Sequence, residues 1–180
     1  TSYACRRDKG MHLAVRRAQQ LCRQYRYALR LDVAKYFESI DHGVLRTLLG
    51  GCADDGLQWL GERIIAASGV PTVPLGEQRG IPIGNLSSQF FANLYLHPLD
   101  LMARARWGRL PWLRYMDDVL VFADDKPSLW EIAAESRDFL AQVLRLRLKA
   151  SVTAVLPVSD GVPWLGMRVF AGTVRLQRDG

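Results

Sequence analysis

Long apolar runs and cysteine are both scarce in this sequence. A membrane helix needs about 20 consecutive apolar residues, whereas the apolar run at 90–96 is short and is interrupted by Asn93. The three cysteines, Cys5, Cys22 and Cys52, form no CxxC pair, which excludes a disulfide scaffold and favours reduced thiols. We therefore expect a cytoplasmic protein with no membrane partner.

The chain also lacks a signal-peptide pattern, an internal repeat and the composition of a disordered protein. Hydrophobic residues make up 49% of the 180 residues and charged residues 23%, which is ordinary globular usage and enough apolar side chain for a core. This length suits one domain with a small appended lobe. The first residue is Thr1 rather than Met, so we expect a piece of a longer protein.

Positive charge is concentrated at the start of the chain. The sequence holds 24 Lys and Arg against 18 Asp and Glu, a net charge of +6. Residues 1–35 contain nine basic and two acidic residues, a net charge of +7, and the remainder sums to −1. A basic lobe is typical of proteins that bind phosphate chains, because Lys and Arg release counterions from them. A solvated helix face explains the pair Arg16–Arg17 better when that pair is taken alone.

The spacing of apolar residues predicts an α+β fold with an antiparallel sheet covered on one face by helices. Pro127 suits the first turn of a helix, Asp41 suits a helix N-cap, and Gly50–Gly51 suits the end of that helix. Pro and Gly residues between 69 and 85 predict an extended loop. The predicted helices span residues 12–24, 41–49, 54–68, 87–106 and 127–144, and the predicted strands span residues 26–32, 112–116, 119–123, 152–156, 162–169 and 174–176.

Three aspartates stand at predicted strand ends. Asp117 and Asp118 occupy a tight turn between two strands, and Asp32 ends another strand. Such turns favour Asn-Gly or Asp-Gly, so two adjacent acids there invite a functional explanation. Three converging carboxylates could bind a pair of magnesium ions, since hard cations take oxygen ligands. A merely hydrophilic turn is the alternative, because Asp124–Asp125 is a second acidic pair at a strand end.

Four segments, in chain order, resemble successive motifs of reverse transcriptases. They are Leu31–His42 (LDVAKYFESIDH), Gly80–Leu96 (GIPIGNLSSQFFANLYL), Tyr115–Asp118 (YMDD) and Trp164–Gly166 (WLG). The resemblance covers roughly residues 3–172 and looks closest to the bacterial branch of diversity-generating retroelement, retron-like and group II intron-like enzymes. It implies a right-hand polymerase palm at 26–180 that ends at the primer-grip region, a fingers remnant at 1–25, and no thumb.

This resemblance implies an RNA-directed DNA polymerase, a nucleotidyltransferase that adds deoxynucleotides to a primer 3′-hydroxyl. Asp32 and Asp117 match the metal-binding aspartates. Asp118 matches the adjacent catalytic position, which usually binds the metal less directly, and the Val33 carbonyl matches a further metal ligand. The implied cofactor is a pair of Mg²⁺ ions, for which Mn²⁺ could substitute. In a two-metal site one ion lowers the pKa of the attacking hydroxyl and the other holds the triphosphate.

The resemblance also implies where the substrates bind. Phe37 matches the bulky residue that lies under the sugar and excludes a 2′-hydroxyl, although by itself it would pass for a core aromatic. The residues implied for the incoming nucleotide are Phe37, Tyr36, Ile83, Gly84 and Lys9. The residues implied for template and primer are Asn85, Ser88, Gln89, the primer-grip residues Trp164, Leu165 and Gly166, and the basic residues Arg6 and Arg7. The implied partners are an RNA template, a DNA or RNA primer and deoxynucleoside triphosphates, with a thumb supplied by the rest of the chain or by an accessory protein.

The chain departs from the common family pattern at three places. It has Pro82-Ile83-Gly84 where many members have Pro-Gln-Gly, and Ser88-Gln89 where they have Ser-Pro. Both departures resemble diversity-generating retroelements, which implies errors concentrated at template adenines. The general acid has no firm counterpart, because Lys149 is near but does not match, and it is left unassigned.

Two other functions fit the same fold. One is a catalytically inactive palm that only binds nucleic acid, which the intact Asp32, Asp117 and Asp118 argue against. The other is a template-free or RNA-synthesising polymerase, which the bulky Phe37 argues against because it hinders ribonucleotides.

Overall fold

The computed structural model describes residues 2–52, 54–66 and 78–177. The helices are α1 (Met11–Cys22), α2 (Tyr36–Ser39), α3 (His42–Cys52), α4 (Asp55–Ala66), α5 (Leu86–Tyr95), α6 (His97–Arg106) and α7 (Lys126–Leu144). The strands are β1 (Tyr27–Leu31), β2 (Trp112–Tyr115), β3 (Asp118–Ala123), β4 (Ala154–Pro157), β5 (Val162–Trp164), β6 (Met167–Val169) and β7 (Val174–Leu176), with a 3₁₀ turn at Val158–Asp160.

The centre of the fold is a four-stranded antiparallel sheet in the order β2-β3-β1-β4. The predicted α+β class, the strand β1 and the hairpin β2–β3 are thus confirmed. Side chains alternate along β1, so Leu29 and Leu31 lie on one face and Ala28 and Arg30 lie on the other. The register pairs Leu31 with Val119 and Arg30 with Leu120.

Both faces of this sheet are covered, so the expectation of one covered face is wrong. One face carries Leu29, Leu31 and Val119 and packs on a core that includes residues of α3, α5, α6 and α7. The other face carries Ala28 and Leu120 and packs on α1 and the small sheet β5-β6-β7. A strand buried on both sides needs apolar residues throughout, which explains the unbroken apolar run that ends β3.

Two predicted elements are divided in the structure. The helix predicted over 87–106 is two helices, α5 and α6, which meet at Leu96. Pro98 stands in the first turn of α6, where its ring and its missing N–H prevent one continuous helix. The strand predicted over 162–169 is the hairpin β5–β6, which turns at Leu165 and Gly166 with φ of 52° and 73°. Gly166 supplies this turn at little conformational cost.

The helix caps are partly as predicted. The Val44 N–H donates to Asp41 Oδ1 at 2.9 Å, so Asp41 caps α3. Gly50 and Gly51 lie inside α3, which continues to Cys52, so they do not end it. Helix α7 begins as predicted, with Pro127 in its first turn. The end of the predicted helix at 67–68 and the predicted loop from 69 to 77 lie outside the described residues.

Candidate active site

The three predicted aspartates meet at one end of the central sheet. Strand β1 ends at Leu31, which pairs with Val119, so the next residues along, Asp32 and Asp118, lie opposite each other. Residues directly opposite in an antiparallel pair project from the same face. Asp117 lies in the turn that leads into β3. The order of the strands therefore brings together residues 85 positions apart in the sequence.

The turn between β2 and β3 lies one residue earlier than predicted. Tyr115 pairs with Asp118, so Met116 and Asp117 form the turn and Asp118 is the first residue of β3. Met116 has φ of 53°, a conformation that costs a residue with a side chain about 1–2 kcal/mol. This backbone is strained next to a candidate metal ligand, and such strain is common at functional sites.

The electrostatics of the site favour a cation. Burial raises the pKa of Asp117 to about 6, and the neighbouring charges of Asp32 and Asp118 add to the rise. Burial also raises the pKa of Asp118, while the positive charges of Arg30 and Lys149 oppose that rise. A raised carboxyl pKa means that the folded state resists ionisation at this position. A divalent cation would offset the repulsion between the ionised groups.

Arg30 is a site residue that the sequence analysis missed. Its Nε and Nη2 donate to Asp118 Oδ1 at 3.2 and 3.1 Å, and Nη2 lies 3.9 Å from Asp32 Oδ2. The alternation along β1 puts Arg30 and Asp32 on the same face, so this signal was present in the sequence. Arg30 thus hydrogen-bonds to Asp118 and also forms an ion pair with Asp32.

The residues present suit Mg²⁺ by their chemistry, since all of the donors are oxygens. Within the described part of the chain, no group of three or more His, Cys, Asp or Glu side chains is arranged so that it could hold a metal ion. Val33, the predicted backbone ligand, is buried at 4% exposure and forms a β-bridge with Leu148. The neighbouring Lys149 N–H donates to the Asp32 carbonyl at 2.7 Å. The segment around Lys149 thus runs directly beside the end of β1 that Asp32 follows.

Tyr36 and Phe37 follow Asp32 on the short helix α2. Tyr36 is 3% exposed and its hydroxyl donates to the Ala92 carbonyl, so its side chain belongs to the core. Phe37 is half-buried and meets the Tyr36 ring edge-on, with 5.7 Å between ring centroids. Tyr36 therefore supports Phe37 from below, and Phe37 is the one of the two with a partly open ring.

The segment Ile83–Gln89 leads into α5 and includes its first turn. Ile83 is 74% exposed, and Gly84 has φ of 101° with open space where a Cβ would stand. Asn85 is the N-cap residue of α5 and has an extended backbone. Ser88 is fully buried and its hydroxyl has no hydrogen-bond partner among the described residues, whereas Gln89 is half-buried. Ile83, Gly84 and Asn85 thus offer an open surface, Gln89 is partly accessible, and Ser88 faces inward.

The N-terminal segment lies against α5. Cys5 Sγ donates to Gln89 Oε1 at 2.9 Å, and the Tyr3 N–H donates to the Arg114 carbonyl on β2 at 2.8 Å. The Lys9 amine lies 4.7 Å from the centre of the Tyr3 ring. Burial, followed by the Arg6 charge, lowers the pKa of Lys9. Arg6, like the neighbouring Arg7, is exposed, and the segment is held beside the predicted template residue Gln89.

The predicted primer-grip residues form the β5–β6 turn. Trp164 is fully buried in the core under the central sheet, and its indole N–H has no hydrogen-bond partner within the part of the chain that the structure describes. Leu165 and Gly166 form the turn itself, and the Gly166 carbonyl accepts from the Gln177 N–H at 2.9 Å. Trp164 therefore anchors the turn, and Leu165 and Gly166 are the residues at its tip.

The family model described as reverse transcriptase (RNA-dependent DNA polymerase) matches residues 1–169. The chain belongs to the reverse transcriptase family. The match includes the aspartates Asp32, Asp117 and Asp118 and nearly all of the described elements, and it ends at the last residue of β6.

Solved telomerase structures share its fold. The apo telomerase of Candida tropicalis aligns with a TM-score of 0.69 at 10% sequence identity, over 92% of this chain and 36% of that one. The telomerase of Candida albicans, in complex with a TWJ fragment of telomeric RNA, aligns with a TM-score of 0.66 at 9% identity, over 97% of this chain and 34% of that one. No curated protein matches the chain.

This reverse transcriptase chain has the right-hand polymerase palm fold predicted from its motifs. It spans about a third of the length of the two telomerases. None of the helices within residues 2–52, 54–66 and 78–177 combines the length and apolar character that crossing a bilayer requires.

Proposed function

We propose that this chain is the catalytic core of an RNA-directed DNA polymerase that extends a primer 3′-hydroxyl with deoxynucleotides. The observation that supports this most strongly is the convergence of Asp32, Asp117 and Asp118 at one end of the central sheet. A family member without catalytic activity would be free to replace Asp117 and Asp118, since burial raises the pKa of both carboxyls and so disfavours their charged forms.

In the proposed site Asp32, Asp117 and the Val33 carbonyl hold the metal ions. Two Mg²⁺ ions, when bound, activate the primer hydroxyl and stabilise the departing pyrophosphate. Arg30 fixes the orientation of the Asp118 carboxylate through the two hydrogen bonds that it donates to Oδ1. Lys149 supplies a positive charge beside Asp118, which can offset the charge of the leaving pyrophosphate.

The remaining residues select and place the substrates. We propose that the Phe37 ring, supported by Tyr36, excludes the 2′-hydroxyl of a ribonucleotide. The exposed Ile83–Gly84 backbone would lie along the nascent base pair, with Lys9 near the incoming nucleotide. Template and primer would then contact Asn85 and Gln89 at the start of α5, Leu165 and Gly166 at the tip of the β5–β6 turn, and the basic residues Arg6 and Arg7. The predicted contacts Ser88 and Trp164 are buried, so we propose that they support these surfaces from within.

We place the chain in the bacterial branch nearest to diversity-generating retroelements, on the basis of Ile83 and Gln89. Its thumb would come from the rest of the parent chain or from an accessory protein. The thiols of Cys5 and Cys22 are free in the structure, in keeping with the reducing cytoplasm that we propose as its location.

Primer extension tests the proposed function directly. The protein is given an annealed RNA template and DNA primer, with deoxynucleotides or ribonucleotides, and with Mg²⁺ present or chelated. We expect extension only with deoxynucleotides and Mg²⁺. Template binding without extension under any condition would identify an inactive binding palm, and extension with ribonucleotides or without a template would identify the other polymerase types.

Replacing Ile83 with Gln is expected to reduce errors at template adenines. A branched apolar side chain cannot hydrogen-bond near the incoming nucleotide, so a correct pair gains less over a mismatch. A polar group left unpaired in a dry site costs roughly 1 to 3 kcal/mol, which corresponds to about fivefold to a hundredfold in fidelity. The measurement is sequencing of cDNA copied from one RNA by both proteins. Equal error spectra would make Ile83 an exposed side chain with no part in base selection and remove the main support for this branch.

Neutralising the basic N-terminal segment is expected to weaken RNA binding. With Arg6, Arg7 and Lys9 all changed to Gln, the slope of log affinity against log salt should fall by about one unit for each phosphate that is no longer neutralised. Binding is measured by fluorescence anisotropy at several salt concentrations. The control changes three surface cations on α3, α6 and α7, namely Arg46, Arg106 and Arg137, to Gln. If the variant of Arg6, Arg7 and Lys9 has the same slope as the parent, these three residues form a solvated surface and do not contact phosphates.

A further inference from the structure

A buried arginine lies behind the catalytic turn. Arg114 on β2 is 2% exposed, and its register partner is Val119. Arg114 therefore projects from the face opposite to Asp118, towards α5 and α6. Its Nη1 donates to the carbonyl of Met116 at 2.9 Å. This carbonyl belongs to the peptide that links Met116 to Asp117.

The other hydrogen bonds of Arg114 hold its guanidinium in one orientation. Its Nε and Nη2 donate to the two carboxylate oxygens of Asp100 on α6 at 2.7 and 2.6 Å. Asp100 is itself 1% exposed. Nη1 also donates to Asn93 Oδ1 on α5 at 3.3 Å, and Asn93 Nδ2 donates in turn to the Ala4 carbonyl at 3.3 Å. The planar fork of Arg suits this geometry, which a Lys cannot reproduce.

A contribution to the stability of the fold does not by itself explain why Arg114 and Asp100 are buried together. A buried ion pair often stabilises a fold no more than well-packed apolar residues of similar volume would. Here the guanidinium also satisfies a carbonyl in a turn that Met116 holds at φ of 53°. A strained turn persists only where its surroundings fix it. Arg114 supplies such a fixed hydrogen bond one residue before Asp117.

We infer that Arg114 is a positioning residue, which fixes the Met116–Asp117 peptide and so holds the Asp117 carboxylate where it can bind a metal ion. Asp100 and Asn93 orient Arg114, and Asn93 also ties it to the N-terminal segment through Ala4. This inference rests on the proposed function, because Asp117 must be a metal ligand. It assigns α5 and α6 a role in the geometry of the reaction centre.

Arg114→Lys is the first test. It keeps the positive charge opposite Asp100 but cannot span both Asp100 and the Met116 carbonyl. Since a displacement of 1 Å can cost about a hundredfold in rate, we expect kcat in primer extension to fall by about tenfold to a hundredfold. The KM for template and primer should stay within about twofold, because the nucleic-acid surface is not altered. Mn²⁺ binding by the metal-free protein, measured by electron paramagnetic resonance, should weaken in parallel.

Asn93→Ala is the second variant, and it tests the positioning role of Arg114 even if Arg114→Lys fails to fold. It removes one hydrogen bond that orients the guanidinium and leaves the pair with Asp100 intact, so kcat and Mn²⁺ affinity should both fall several-fold. Arg46→Lys, in the exposed pair with Glu62, is the matched control for the substitution. Leu140→Ala on α7 is the control for reduced stability alone. Both controls should keep the parent's kcat and Mn²⁺ affinity at temperatures below their melting points.

The outcomes separate this inference from the proposed function. An inactive parent would remove the proposed function. An active parent whose Arg114→Lys and Asn93→Ala variants keep both kcat and Mn²⁺ affinity would overturn the positioning role. A decrease of melting temperature in Arg114→Lys, with normal kcat and Mn²⁺ affinity in the folded protein, would overturn it too.

Discussion

Asp117→Asn is expected to abolish nucleotide incorporation while leaving the fold intact. The change removes one charged metal ligand and no volume. Loss of several kcal/mol of transition-state stabilisation corresponds to about a thousandfold in rate. The carboxyl that it replaces is buried and has its pKa raised to about 6, so the neutral amide should keep or raise the melting temperature in metal-free buffer.

Extension rates and thermal melts, each with and without Mg²⁺, check this expectation together. Parent protein should gain more thermal stability from Mg²⁺ than the variant does. Asp138→Asn, on the exposed surface of α7, is the matched control and should behave like the parent. A rate near the parent's in Asp117→Asn would show that Asp117 is not a metal ligand.

Phe37→Ala is expected to admit ribonucleotides. The proposed exclusion is a steric clash with one hydroxyl, and overpacking of this kind costs about 1 to 3 kcal/mol. Relief of the clash should therefore raise the ratio of ribonucleotide to deoxynucleotide incorporation by about tenfold to a hundredfold. The ratio is measured by single-nucleotide extension at matched concentrations.

The matched control for this change is Phe139→Ala on α7. Phe139 is also half-buried against the same core, so its removal reproduces the packing defect without touching the proposed site. Its incorporation ratio should equal the parent's. An unchanged ratio in Phe37→Ala as well would leave Phe37 as a core aromatic.

The sequence was most informative where local pattern and motif agreed. Strand β1 alternates and ends at an aspartate, and the hairpin β2–β3 is marked by two apolar runs around Asp117, so both were predictable. The break between α5 and α6 was readable from Pro98, and the β5–β6 turn from Gly166, but apolar periodicity outweighed both signals. The sequence could not predict that the second face of the central sheet is covered, because this cover depends on α1 and β6, which pack together from distant parts of the chain.

Within the site, the positions of Asp32, Asp117 and Asp118 were predictable, but their support was not. The hydrogen bond between Arg30 and Asp118 spans 88 positions and follows from the strand register. The pair of Arg114 and Asp100 depends on the direction in which α6 leaves α5, which no local pattern encodes. The burial of Tyr36 and Trp164 likewise follows from tertiary packing.

The burial of β1 on both faces has a consequence for motion. Backbone amides in a strand that is paired on both edges and covered on both sides exchange with solvent only when most of the molecule opens. Asp32 directly follows this strand, so one of the two proposed metal-binding carboxylates is attached to the last part of the molecule to unfold. If the chain is the polymerase core that we propose, we expect movement during its catalytic cycle in the outer parts, such as the N-terminal segment and the tip of the β5–β6 turn. The nucleic acid would have to advance past a stationary β1.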